Sequence, residues 1–145
     1  MIIRHKENYK WENVPVLAYK EDTNCFKNIT RQILLDGVPE LPCQLRYFEI
    51  APGGHSTLEQ HEHVHFVVIF RGQGKVLVGK ELQSVQEKDV IEIPPFAWHQ
   101  FQATSDSPLG FLCLVNLQRD RPKLPTAEDL IILQQDSEIA AFIKS

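Results

Sequence analysis

No stretch of this chain is long and apolar enough to cross a bilayer, and its amino terminus, Met1-Ile2-Ile3-Arg4-His5-Lys6, carries no apolar leader core. It has no cationic surplus: 15 Lys and Arg stand against 19 Asp and Glu, a net charge of −4. That balance argues against nucleic acid or an anionic membrane as the main partner. The single basic cluster, Arg119-Asp120-Arg121-Pro122-Lys123, contains its own acid. Cysteines are few and unpatterned, at Cys25, Cys43 and Cys113. An odd number without metal-ligand or disulfide spacing fits free thiols in a reducing cytoplasm. Internal repeats and low-complexity segments are missing, and the polar first 25 residues are too short to hold a helix-turn-helix DNA reader.

What is present is one domain's worth of chain, 145 residues, with an ordinary 43% of hydrophobic side chains. Residues 1–25 read as an arm with one short strand, anchored by isolated apolar residues such as Trp11, Leu17 and Tyr19. Short strand patterns follow over 26–35, 43–51, 66–70, 75–79, 89–93, 99–103 and 110–117. Glycine and proline punctuate them: Pro52-Gly53-Gly54 is expected to break the second, and Gly72-Gln73-Gly74 to make a hairpin. This pattern indicates an all-β sandwich or barrel over 26–117. Residues 118–145 change character, with a proline-bounded linker and then two short helices packing on the barrel, the first capped by Thr126 and the second by Asp136 or Ser137.

The chemistry concentrates in residues 52–65. Four of six histidines lie there, with His61, His63 and His65 at alternate positions beside Glu59. Imidazoles and carboxylates gathered this closely are costly to bury without a task, and holding a transition metal is the natural one. Alternate strand residues lie roughly 6.5 Å apart on one face. Glu59 and His61 can therefore converge on one ion at about 2.1 Å from each donor. On a straight strand Glu59 and His65 would be about 20 Å apart, so the chain must turn at Glu62-His63-Val64 if both ligate. A fourth ligand has to come from elsewhere, and His99, just past Pro94-Pro95, is the well-placed histidine that remains. His55 reads as a turn residue, His5 as uninvolved, and Glu59 alternatively as an acid orienting a histidine. Phe96 and Trp98 suit a pocket wall or the core, Cys113 suits a small buried apolar position, and Arg46 and Gln100 are candidate polar pocket groups.

These residues resemble the cupin superfamily, whose first motif runs glycine, five residues, histidine, one, histidine, three or four, glutamate, six, glycine. Laid from Gly53, that spacing meets Glu59, His61, His65 and Gly72, with glutamate and histidine exchanged at the outer ligand positions. A rival register pairs His61 with His63 and puts Val67 at the glutamate position. The second motif runs glycine, five residues, proline, one, glycine, two, histidine, three, asparagine. Here it meets Lys88, Pro94, Phe96, His99 and Ala103, so its proline and histidine match.

The resemblance implies a jelly-roll-like double-stranded β-barrel. It also implies one divalent transition metal per chain (Fe, Mn, Ni, Cu or Zn), held by Glu59, His61, His65 and His99. Single-domain cupins similar to this one include dioxygenases and isomerases, so a metal-dependent enzyme on a small oxygen-bearing molecule is expected. A binding or sensing barrel with a structural metal is the alternative. The edge strands of such a barrel, the arm and the habit of the family suggest a homodimer.

Overall fold

The structure, a computed structural model, describes residues 1–20 and 25–145; residues 21–24 of the expected arm lie outside the described part. The elements are β1 (Leu17–Ala18), β2 (Lys27–Leu35), β3 (Cys43–His55), β4 (His65–Val78), β5 (Glu81–Gln86), β6 (Val90–Ile93), β7 (His99–Ala103), β8 (Leu109–Asn116), α1 (Ala127–Leu133) and α2 (Ser137–Phe142). Every strand pairing is antiparallel, and together the strands close an all-β barrel of the expected class.

Two long strands make the closure. The first part of β3 pairs with β2 and β8, whereas its end, at His55, meets Gln102 of β7. Likewise β4 begins between β6 and β8 and finishes between β5 and β7. Each strand therefore passes from one sheet to the other at a corner, a device that needs a bulge or a glycine.

The glycine clusters that the sequence analysis takes for breaks are these corners. β3 continues through Pro52-Gly53-Gly54, with Gly53 at φ +74°. β4 continues through Gly72-Gln73-Gly74, with Gly72 at φ +70° and a register shift against β8 between Ile69 and Arg71. A Cβ on Gly72 would lie 1.9 Å from the Pro108 carbonyl oxygen, so close backbone approach, not chain reversal, is why glycine stands there. The actual hairpin is the two-residue loop Gly79-Lys80, which joins β4 to β5. β5 carries only two apolar residues, Leu82 and Val85, which is why no strand was expected there.

Alternation along the strands produces two apolar layers. Inside, Ile29, Phe48, Ile50, Val67, Ile69, Phe101, Phe111 and Cys113 belong to one buried cluster, with the Phe111 ring stacked between those of Phe48 and Phe101. Outside, Leu58 and Leu77 pack with Leu133, Ile139, Phe142 and Ile143 of the C-terminal segment. Thr126 and Asp129 cap α1 reciprocally, and the Asp136 carboxylate accepts from the Glu138 and Ile139 amides to start α2. The arm packs on the other sheet, with Tyr9 and Trp11 against Tyr47 and Phe70. Among the described residues no helix is long and apolar enough to cross a membrane.

Candidate metal centre

The barrel interior opens into a cavity of about 190 Å³ whose lining includes the histidine cluster. His65 opens β4 and His99 opens β7, while His61 sits on the loop between β3 and β4. That loop turns at Glu62-His63, as the strand arithmetic requires if both flanks share an ion. It is pinned from three directions. Glu59 exchanges two backbone hydrogen bonds with His99, Phe96 N–H donates to the His61 carbonyl, and Gln60 pairs with Lys123 of the C-terminal linker. Asp120, from the same linker, accepts from the backbone N–H groups of Glu62 and His63. The linker is thus a structural clamp on the site.

His61, His65 and His99 offer ligand atoms that all lie within 4.8 Å of one another. Each ring is oriented through Nδ1. His61 Nδ1 is 2.7 Å from the His63 carbonyl oxygen and His99 Nδ1 is 2.9 Å from that of Ala97. His65 Nδ1 lies 3.5 Å from Cys113 Sγ. A ring that spends Nδ1–H on an acceptor presents its Nε2 lone pair to whatever lies on the other side. At His61 that Nε2 is buried with no hydrogen-bond partner. An orphaned buried nitrogen beside two further imidazoles fits a metal ion, because a polar atom is otherwise costly to leave unsatisfied. Three neutral nitrogen donors suit a divalent transition metal.

Glu59 stands close to this group but outside it. It is 6% exposed, its Oε1 lies 3.9 Å from His99 Nε2, and its other oxygen pairs with Lys20. His63 is placed in the turn, and its ring stacks on His61 at 3.7 Å. Its Nδ1 is 2.7 Å from Asp120 and its Nε2 3.0 Å from His65 Nε2. The sequence pattern gave no hint of this stacking or of Asp120 as the group behind it. His55 ends β3 as a strand residue, not a turn, and His5 packs against the rings of Tyr9 and Trp11.

Two polar candidates separate clearly. Arg46 lines the cavity. Gln100 does not: it donates to the Ser56 and Lys144 carbonyls and accepts from Lys144 N–H, so it ties the C-terminus to the outer sheet face. Trp98 joins the outer apolar layer and Phe96 is exposed, so neither forms the pocket wall. Phe48, Phe101 and Phe111 provide that wall.

Burial holds all three triad rings neutral. It lowers His61 to about 4, helped by the neighbouring His99 and His63, and pushes His65 and His99 down as well. Burial also raises the Cys113 thiol, so it stays protonated beside His65. In the unfolded chain these histidines take up protons near pH 6.5, which the folded metal-free protein resists. The stability they permit is therefore complete above about pH 6.5 and is lost as the pH falls from there towards 4. Urea unfolding of metal-free protein should show that decline, at up to about 1.4 kcal/mol per pH unit for each ring held neutral. Stability that stays level or rises over this interval would contradict the buried, neutral triad.

Comparison with known proteins agrees with this architecture. The Cupin_2 family model, a cupin domain, matches residues 46–115. The chain is 48% identical over 139 residues to 1-methylthio-D-xylulose 5-phosphate methylsulfurylase of Rhodospirillum rubrum, covering 95% of this chain and 88% of that protein. Among solved structures, a cupin 2 conserved barrel domain protein from Rhodopseudomonas palustris matches with TM-score 0.94 and 46% identity over the whole of both chains. A cupin-2 domain protein from Rhodospirillum rubrum matches with TM-score 0.87 and 48% identity, covering 95% of this chain and 93% of that one. With its closed barrel, its histidines at the motif positions and these relatives, the chain belongs to the cupin family.

Proposed function

We propose that this protein is a metal-dependent enzyme that transfers the methylthio group of a 1-methylthio-ketopentose 5-phosphate to a thiol: the C1–S bond breaks, the thiol sulfur joins the methylthio sulfur in a disulfide, and C1 takes up the thiol's proton. The observation that carries the reading is the composition of the cavity. The three histidines share it with Lys20, Arg31, Arg46 and Arg119, and among the described residues Glu59 is its single carboxylate. A ketose phosphate offers a carbonyl for the ion and an anion for the cations. The methylsulfurylase relative, 48% identical across nearly the whole chain, supports that substrate class. An isomerase of a sugar phosphate would use the same ion and cations, and it is the methylsulfurylase relative that favours reaction at the methylthio group.

A divalent ion held by His61, His65 and His99, with Glu59 as a further donor, would supply Lewis acidity to polarise the ketone. The protein's own share is orientation and exclusion of water. The Nδ1 contacts fix the three rings before substrate arrives, which lowers the reorganisation needed at the reaction. Lys20 holds one Glu59 oxygen and leaves the other beside His99. Tyr19 lines the same cavity, and burial pushes its hydroxyl well up, so it remains a neutral hydrogen-bond donor. The phenylalanine wall keeps the site dry and strengthens its electrostatics.

The test follows the S-methyl proton resonance of 1-methylthio-D-xylulose 5-phosphate with enzyme loaded with Mn, Fe, Ni, Cu or Zn, with and without an added thiol. Loss of that resonance is expected with at least one metal. His61→Ala and His99→Ala should abolish both the metal and the reaction, and Asp120→Ala should reduce activity about 10- to 100-fold. Fully metallated protein that leaves the substrate intact under every condition would overturn the reading.

The same chain is proposed to pair as a homodimer through the outer face of β4, β6 and β8. Phe66 and Val68 stand opposite Leu114 and Leu112 there, and Phe66, Val68, Val90 and Leu114 are all exposed. A contiguous apolar face of this kind marks an interaction surface. Light scattering should give a dimer for the natural chain and a monomer for Phe66→Glu with Val68→Lys. A monomeric natural chain would remove the proposal.

A further inference from the structure

Arg46 puts a cation inside the barrel. It lies on β3 in register with Ile33 of β2 and Cys113 of β8, and it is only 8% exposed. Its guanidinium stacks over the Phe48 ring at 4.9 Å, and Nη2 reaches Cys113 Sγ at 3.4 Å. Nε is buried with no hydrogen-bond partner, and no carboxylate pairs with Arg46 among the described residues. A buried guanidinium without an anion leaves its desolvation uncompensated, which native structures avoid unless the anion arrives as a ligand.

Two more guanidiniums stand on the same cavity. Arg31, half-buried on β2, spends Nε on the Ala18 carbonyl, and among the described residues no hydrogen bond takes its terminal nitrogens. Arg119 donates to the Asn116 and Leu117 carbonyls through one terminal nitrogen and to Gln44 through the other. Burial, together with the charges of Arg46 and Arg31, pushes Arg119 below its ordinary range, which places the three cations within reach of one another's fields. Among the described residues, the nearby acids are engaged. Glu59 is held by Lys20, and Asp36 accepts from Gln44. In a chain whose net charge is −4, this is a local excess of positive charge facing inward.

We propose that Arg46, with Arg31 and Arg119, forms the subsite for the terminal phosphate of a short ketose phosphate, on the far side of Cys113 from the histidine triad. The inference rests on the proposed function for its substrate class but assigns the anion to particular residues. Guanidinium forks match phosphate oxygens two at a time, and three of them suit a dianion better than a single carboxylate. Cys113 serves as the spacer, because its sulfur touches Arg46 on one side and His65 on the other, at 3.4 and 3.5 Å. A ligand that reaches both ends needs its anion a few carbons away from its carbonyl. The Phe48 face under Arg46 orients the planar fork and covers one of its faces.

Calorimetric titration of the metal-loaded protein with D-xylulose 5-phosphate, D-xylulose and inorganic phosphate tests the assignment without any turnover. The phosphorylated sugar should bind the natural chain at least about 100-fold more tightly than the free sugar, and inorganic phosphate should compete with it. Arg46→Gln should lose about 50-fold of the affinity for the sugar phosphate, with D-xylulose binding and metal content unchanged, and Arg31→Gln about tenfold. Because Arg31 is half-buried on a separate strand, its variant carries the reading even where Arg46→Gln does not fold. Equal affinity for D-xylulose and its phosphate, or a phosphate preference that persists in the folded variants, would overturn the subsite. Tight phosphate-dependent binding with no loss of the S-methyl resonance from the methylthio substrate would sink the proposed reaction and leave the subsite standing.

Discussion

Three imidazoles packed against one another, two buried and that of His65 half-buried, each committed through Nδ1 and each held neutral, are the constraint around which the other features of the site are arranged. Their burial is unfavourable unless the remaining nitrogens are satisfied, and His61 Nε2 has no partner among the described residues. The surrounding structure meets the geometric half of that demand. The β3–β4 loop is held by backbone pairing to β7, by Phe96 and by the linker carrying Asp120 and Lys123. None of these groups points at the cavity centre. They fix where the rings stand, and a metal ion would supply what the rings lack.

The barrel corners serve the same end. By passing from sheet to sheet at Gly53 and Gly72, β3 and β4 carry side chains from both sheets to one interior. His65, Cys113, Arg46 and Arg31 reach the cavity from four neighbouring strands. The result is a pocket with an imidazole end, an aromatic wall and a guanidinium end, joined by one buried sulfur. Charge separation of this kind selects ligands by length as well as by chemistry.

Much of this was legible in the residues. Strand alternation gave the all-β class, and the need to bring His65 back to Glu59 and His61 required a turn at Glu62-His63, where the chain does turn. Other features were hidden for physical reasons. A glycine marks either chain reversal or close backbone approach, and only the position of Pro108 decides between them at Gly72. β5 is not legible in the residues because two apolar residues in six give too weak an alternation. Gln100 follows His99 directly on β7, so the two must face opposite sides, and that parity alone removes Gln100 from the pocket. Lys20 against Glu59 and Asp120 against His63 join residues 39 and 57 positions apart, which no local pattern records.

The central claim is that the buried triad is a metal site. The most direct measurement is elemental analysis with X-ray absorption spectroscopy on untagged protein purified from metal-replete cells without added chelator. The account expects one divalent transition metal per chain, with three imidazole nitrogens at about 2.1 Å. Protein that folds and carries no stoichiometric metal, or carries one whose first shell contains no imidazole, would contradict it.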